Sequence, residues 1–188
     1  DGLPLTALAE RYGTPLYLYS AATIRERVAR VRAAFKALRP ELYYAVKANG
    51  NLSLLKLLRV EGVGFDIVSG GELARVIAAG GDPGKVVFSG VGKQVWEIEA
   101  ALKAGVKCFN VESEGELERV AQVAERMNVK APVSLRVNPD VDARTHPYIS
   151  TGLKDNKFGV PIDQAPRIYA RAQELPSLNI VGVDCHIG

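Results

Sequence analysis

The sequence predicts an α/β chain: a parallel (β/α)8 TIM barrel, incomplete here, with about six barrel strands present. Three observations carry this. Short β-rich apolar runs alternate with segments of helical periodicity at intervals of roughly 22 residues, the mark of parallel βα units. The first clear unit ends in "KANGN" (47–51) and has no G-x-G-x-x-G turn, which a doubly wound nucleotide-binding sheet places there. Finally, a polar residue closes each strand-like run: Lys47, Asp66, Ser89, Asn110 or Glu112, Arg136 and His186. Barrels collect their chemistry at the C-terminal ends of the strands.

The elements follow in order. "PLYLYS" (15–20) reads as an opening extended run, and Ser20 as the N-cap of an amphipathic helix over 21–38. Strands are expected near 42–47, 64–68, 85–89, 107–112, 132–138 and 179–186, and helices near 53–61, 70–79, 94–104, 114–127 and 163–174. Ser69 with Glu72, and Ser113 with Glu116, have capping-box spacing. Gly62, Gly80 and Gly105 mark helix ends. Between 139 and 161 the helical pattern lapses into Pro, Gly, Asp, Asn and Thr. A stretch of that length after a barrel strand reads as a binding loop, with Tyr148, Ile149, Leu153, Phe158 and Val160 available to pack.

Side chains alternate across a strand. Tyr43, Ala45 and Lys47 therefore share a face against Leu42, Tyr44 and Val46. Ser134, Arg136 and Asn138 oppose Val133, Leu135 and Val137, and Gly182, Asp184 and His186 oppose Val181, Val183 and Cys185. The mixed faces should line the barrel and the apolar faces should pack on the helix ring. Cys108, in phase with Asn110, then faces inward while Cys185 faces the helices, which argues against a disulfide.

Bulk properties exclude several classes. The formal charge is +3 with basic residues dispersed, which does not suggest nucleic acid. No apolar run approaches the roughly 20 residues that span a bilayer. The N-terminus has neither the basic start nor the apolar block of a secretory signal, and without a Met the true start is expected upstream. Two cysteines without metal-type spacing fit a reducing cytoplasm, and no metal site is expected. Six barrel strands instead of eight suggest a piece of a longer protein.

Each candidate residue has a plain alternative. Lys47 can be a strand-end lysine reaching solvent, Asp66 a local cap, His186 a hydrogen-bonded core histidine, and Arg136 half of an ion pair. Their gathering at one end of one barrel is what points to a site. A lysine drawn inside a barrel loses hydration and becomes the neutral amine that condenses with an aldehyde. Asp66 can hold a proton on His186, His186 can lie against an aromatic cofactor, and Arg136 can reach its oxygens.

"YYAVKAN", "GFDIVSGGEL", "RVNPDVDARTHPYISTGLKDNKFG" and "VDCHIG" together resemble the diaminopimelate decarboxylase branch of the fold-type III, alanine-racemase-like pyridoxal-phosphate decarboxylases. The likeness covers essentially the whole chain. It implies pyridoxal 5'-phosphate as cofactor, Lys47 as the Schiff-base lysine, His186 stacked on the pyridine ring, Asp66 supporting it, and Arg136 near the cofactor. Residues 142 to 159 correspond to the family's active-site loop. Residues 1–20 correspond to the segment leading from a C-terminal β domain, and 21–188 to the barrel domain, truncated after strand six. The implied reaction is decarboxylation of meso-2,6-diaminopimelate to L-lysine, the last step of lysine biosynthesis, by a cytoplasmic homodimer with shared active sites. The fragment alone is expected to be inactive, because the family's glycine-rich phosphate loops and substrate-binding Arg and Tyr come later in the chain. Ornithine, arginine or carboxynorspermidine decarboxylases, and a non-catalytic pyridoxal-phosphate carrier barrel, share parts of the pattern and are the alternatives.

Overall fold

The computed structural model describes residues 1–141 and 158–186. Helices α1 (Leu5–Tyr12) and α2 (Ala21–Ala34) lead into strand β1 (Tyr43–Ala45). The chain continues through α3 (Leu52–Val60), β2 (Gly64–Ile67), α4 (Gly70–Ala78), β3 (Val86–Phe88), α5 (Val95–Ala104) and β4 (Cys108–Val111). It then forms α6 (Glu114–Arg126), β5 (Ala131–Asn138), the two-residue β6 (Val160–Pro161), α7 (Ala165–Gln173) and β7 (Leu178–Asp184). The strands form one parallel sheet in the order β1-β2-β3-β4-β5, with β7 beside β5 over Ala131–Arg136 and β6 beside its last two residues. This is the incomplete barrel that the alternation of elements predicts, with the six strands expected between 42 and 186 each present in its place. The loop residues Tyr148, Ile149 and Leu153 lie outside the described residues.

Alternation decides where the core sits. Phe65 and Ile67 of β2, Val86 and Phe88 of β3, Phe109 and Val111 of β4, and Val133 and Leu135 of β5 are buried. They meet Leu55, Val76, Ile98, Val120 and Ile168 of the overlying helices in one cluster. The rings of Phe88 and Phe109 stack at 5.9 Å between centroids. The opposite face carries Asp66, Ser89, Asn110, Ser134 and Arg136, as period two requires. Both cysteines are free, Cys108 buried and Cys185 exposed.

Helix starts follow the capping signals, with one addition. Ser69 Oγ accepts from Glu72 N at 3.2 Å, and Ser113 Oγ accepts from Glu116 N at 3.2 Å. The glutamates reach back one residue beyond the cap, where Glu72 accepts from Val68 N at 2.8 Å and Glu116 from Glu112 N at 2.9 Å. Each glutamate thus ties its helix to the end of the preceding strand. Gly62, Gly80 and Gly105 have φ of 71°, 76° and 77°, the left-handed conformation that ends a helix most readily at glycine.

Four expectations are corrected. "PLYLYS" is not a strand, and Tyr17 and Tyr19 stand exposed with no sheet partner. Residues 5–12, unassigned by periodicity, form α1, in which helix-forming Leu, Ala and Glu outweigh the absence of any buried face. Lys47 lies past the end of β1, in a 3-10 turn over Val46–Ala48 that buries Val46 and leaves Lys47 exposed. The outer face of β7 is only partly covered: Val181, Val183 and Cys185 are exposed, although Tyr169 of α7 donates to Gly182 O at 2.8 Å. A bulge intervenes in β7. Val133 pairs with Ile180 but Ser134 with Gly182, so Val181 is the extra residue. Strict alternation would have turned Leu178 and Ile180 inward with Gly182 and Asp184. The bulge lets all four lie correctly.

Lys93 is an unexpected core residue. Its side chain is fully buried in the loop after β3, and its ammonium donates to Glu116 Oε1 at 2.6 Å, Gly90 O at 2.7 Å and Asn110 O at 2.8 Å. Removing one member of a buried pair leaves an uncompensated charge and costs about 3–5 kcal/mol, whereas an exposed pair contributes roughly 0–1 kcal/mol. In urea denaturation, Lys93→Met should therefore lose several-fold more stability than Arg126→Ala, which breaks the exposed Arg126–Glu99 pair. Equal losses would show that the Lys93 pair is hydrated.

Candidate active site

The inner face of the sheet carries a continuous polar chain. Ser89 Oγ donates to Asp66 Oδ1 at 2.6 Å, Asn110 Nδ2 donates to Ser89 Oγ at 3.1 Å, and Ser134 Oγ donates to Asn110 Oδ1 at 2.6 Å. The chain crosses β2, β3, β4 and β5 through Asp66 and Asn110 near their strand ends, Ser89 just past its own, and Ser134 midway along β5. Its members sit opposite one another because the strands are parallel and in register, as where Asn110 faces Ser134. Each hydroxyl and amide is used, so the chain holds the carboxylate of Asp66 in one orientation.

One layer nearer the C-terminal end lies a charged row. Arg136 pairs in register with Asp184. On its other side Arg136 Nη1 donates to Glu112 Oε1 at 3.0 Å, with both side chains buried. Gly90 N donates to the same Glu112 oxygen at 3.1 Å. Two oxygens in this row, Glu112 Oε2 and Asp184 Oδ2, are buried without a hydrogen-bond partner among the described residues. His186 Nε2 lies 3.3 Å from Asp184 Oδ1.

Of the sequence-predicted residues, Asp66, Lys47 and His186 influence one another electrostatically, and Arg136 lies in register with Asp184, the carboxylate next to His186. Asp66 lies in the electrostatic field of both His186 and Lys47. Burial pushes the Asp66 carboxyl above its ordinary value, with Asp184 adding to the rise, while the Ser89 hydroxyl and the charges of His186 and Lys47 pull it partly back. Two details differ from expectation. The near carboxylate of His186 is Asp184, while the hydrogen bond found on Asp66 comes from Ser89. Lys47 is exposed, so the desolvation expected of a lysine inside a closed barrel is absent from the chain as it stands. Sequence reasoning left Glu112 as one of two possibilities and did not give Asp184 a role. The signal for both was available, since each lies level with Arg136 once strand ends are aligned. Burial also pushes the Cys108 thiol up, so this inner-face cysteine is no nucleophile at neutral pH.

Asp66 makes the site costly to fold. A carboxyl whose folded value is raised stabilises the fold only while protonated. That advantage is lost as pH rises from the ordinary 3.8 through the raised folded value. Asp66→Asn keeps an acceptor for Ser89 and removes the charge. The variant should melt at a higher temperature than the parent at pH 7, and the difference should vanish below about pH 4. A gap that persists in acid would mean that packing, not charge, separates the two.

Comparison with known proteins agrees with this arrangement. A family profile for the pyridoxal-dependent decarboxylase, pyridoxal binding domain, matches residues 21–188. The chain is 60% identical over 188 residues to the diaminopimelate decarboxylase of Neisseria meningitidis serogroup B, covering 100% of this chain and 45% of that protein. It is also 60% identical to the diaminopimelate decarboxylase of Pseudomonas aeruginosa, with the same coverage. Among solved structures, diaminopimelate decarboxylase from Helicobacter pylori complexed with L-lysine superimposes with a TM-score of 0.93 at 45% identity. That match covers 98% of this chain and 47% of the other. The enzyme from M. jannaschii in co-complex with L-lysine gives 0.91 at 40% identity, covering 100% of this chain and 45% of that one. The chain thus spans about half the length of the relatives it matches. By sequence and fold, the chain belongs to the pyridoxal-dependent decarboxylase family, as its pyridoxal-binding domain.

Proposed function

We propose that this chain is the cofactor-bearing part of a decarboxylase that converts meso-2,6-diaminopimelate to L-lysine and carbon dioxide, the last step of lysine biosynthesis. The observation that carries the reading is that an amine, an imidazole and a half-buried carboxyl, from the ends of β1, β7 and β2, act on one another electrostatically at the C-terminal end of the sheet. The substrate class follows from the relatives and from the L-lysine complexes of similar structures.

The residues present fit pyridoxal 5'-phosphate. Bound there, this group supplies an aldehyde for the substrate amine and an electron-accepting ring for the charge left as carbon dioxide departs. Lys47, exposed on its tight turn, presents an accessible amine to hold the aldehyde. Arg136 uses one guanidinium nitrogen on Glu112, and its other N–H groups have no partner among the described residues, which leaves donors for anionic oxygens. Asp184 orients the His186 imidazole, and His186 would lie against the group. Asp66 is held in place by Ser89, and its carboxylate would support the charges of Lys47 and His186 around the group.

Residues 1–20 serve in this reading as the segment leading from a second, β-rich domain, and 21–188 as the barrel domain. The exposed apolar run at Tyr17, Leu18 and Tyr19, without a sheet partner, supports it. The full-length protein would act in the cytoplasm as a homodimer with shared sites, a setting that suits two unpaired cysteines.

Two measurements test the reading. The full-length protein is loaded with pyridoxal phosphate, reduced with borohydride and digested. The label should fall on Lys47, and Lys47→Ala should lose both the label and the visible absorbance of the bound cofactor. Label on another lysine would overturn the assignment. Turnover should be at least about a hundredfold higher on meso-diaminopimelate than on ornithine, arginine or carboxynorspermidine, a ratio matching loss of a recognised polar group. A preference for any of those three would replace the proposed substrate.

A further inference from the structure

Arg136 is gripped from two directions. Glu112 takes its Nη1 at 3.0 Å, and the ring of Phe158 lies against its guanidinium carbon, with the ring centroid 5.1 Å away. Glu112 cannot easily shift, because its carboxylate also accepts from Gly90 N and its own N–H donates to Glu116 Oε2 at 2.9 Å. Lys93 locks both ends of that arrangement, donating to Gly90 O and to Glu116 Oε1. The edge of the guanidinium is therefore fixed by a braced carboxylate.

Its plane needs a second restraint, since one hydrogen bond leaves a planar fork free to turn about that contact. Phe158 supplies it. The ring is held in place by the backbone that follows. Val160 pairs with Val137 and Pro161 with Asn138, so β6 runs beside the two residues after Arg136. Gly159 makes the close approach possible, with φ of 76° and room for no side chain. A Cβ there would stand 2.9 Å from Arg136 O and 3.3 Å from Asn138 N. The chain thus returns from the 139–161 stretch directly onto the backbone of Arg136 and lays an aromatic ring against its charge.

We infer that Phe158 is a positioning residue. By a cation–π contact with Arg136 it sets the plane of the guanidinium, so that the N–H donors not used by Glu112 face the oxygens of a bound anionic cofactor. The inference rests on the cofactor reading above. It adds that cofactor affinity depends on a side chain that need not touch the cofactor, and that the placing of residues 158–161 is coupled to cofactor binding through a single arginine.

The test titrates the apo form of the full-length protein with pyridoxal phosphate, following absorbance, for Phe158→Ala, Phe158→Tyr, Arg136→Gln and Phe158→Ala with Arg136→Gln. Phe158→Ala should weaken binding about five- to tenfold, the range of a partly desolvated cation–π contact. Its melting temperature without cofactor should stay within about 2 °C of the parent, as expected of a half-exposed site. Phe158→Tyr, which keeps a π face, should bind within about twofold of the parent. In the Arg136→Gln background Phe158→Ala should add less than about twofold, because the cation through which it acts is gone. Unchanged affinity in Phe158→Ala, an equal loss in both backgrounds, or failure of tyrosine to restore binding overturns the role of Phe158 and leaves the cofactor reading intact. Parent-like affinity in Arg136→Gln overturns both.

Discussion

A parallel strand between two environments must hide one row of side chains and present the other, and each feature of this molecule follows from how six strands do so together. Phe65, Phe88, Phe109 and Leu135 go beneath the helices, where their burial supplies the main driving force for folding. The other row is thereby forced to the inner face. Residues there cannot be apolar and functional at once. The chain uses short polar side chains that satisfy one another: Asp66, Ser89, Asn110 and Ser134. Registered pairing between neighbouring strands is what brings these residues, 21 to 24 positions apart in sequence, within hydrogen-bonding distance.

The cost of that arrangement grows toward the C-terminal end, where neutral residues give way to charged ones. Glu112, Arg136 and Asp184 lie level across three strands, two of them with a buried oxygen that no donor among the described residues reaches. Unmet acceptors in a buried row lower stability and are retained where a site requires them. The scaffold offsets part of this cost immediately behind the row. Lys93, Glu116 and the backbone of Gly90 and Glu112 form a closed set of bonds around a buried ion pair. Loops after the strands are thereby fastened to the helices that follow them, and the chemistry-bearing residues project from rigid ends.

Much of this was legible in the order of residues. The six barrel strands, the helices between them, the caps at Ser69 and Ser113 and the inward phase of Asp66, Arg136 and His186 rest on local periodicity, which reflects only the pitch of a helix or the pleat of a strand. The details that failed rest on something else. Lys47 follows the period of a strand, but β1 turns after Ala45 because burying Val46 in the core outweighs extending the strand. "PLYLYS" has strand-forming residues but no neighbouring strand to pair with, and an unpaired strand is not a stable element.

Sequence by itself therefore determined the class of fold and the elements that build it, and it offered Lys47, Asp66, Arg136 and His186 as candidates, because periodicity along one stretch of chain reflects only local pitch or pleat. Only the tertiary structure decided which groups touch: Ser89 on Asp66, Asp184 on His186, Glu112 and Phe158 on Arg136, and the buried seat of Lys93. Those pairings depend on the register between strands and on a one-residue bulge in β7. Register is set by the packing of whole elements, which no short stretch of the chain encodes.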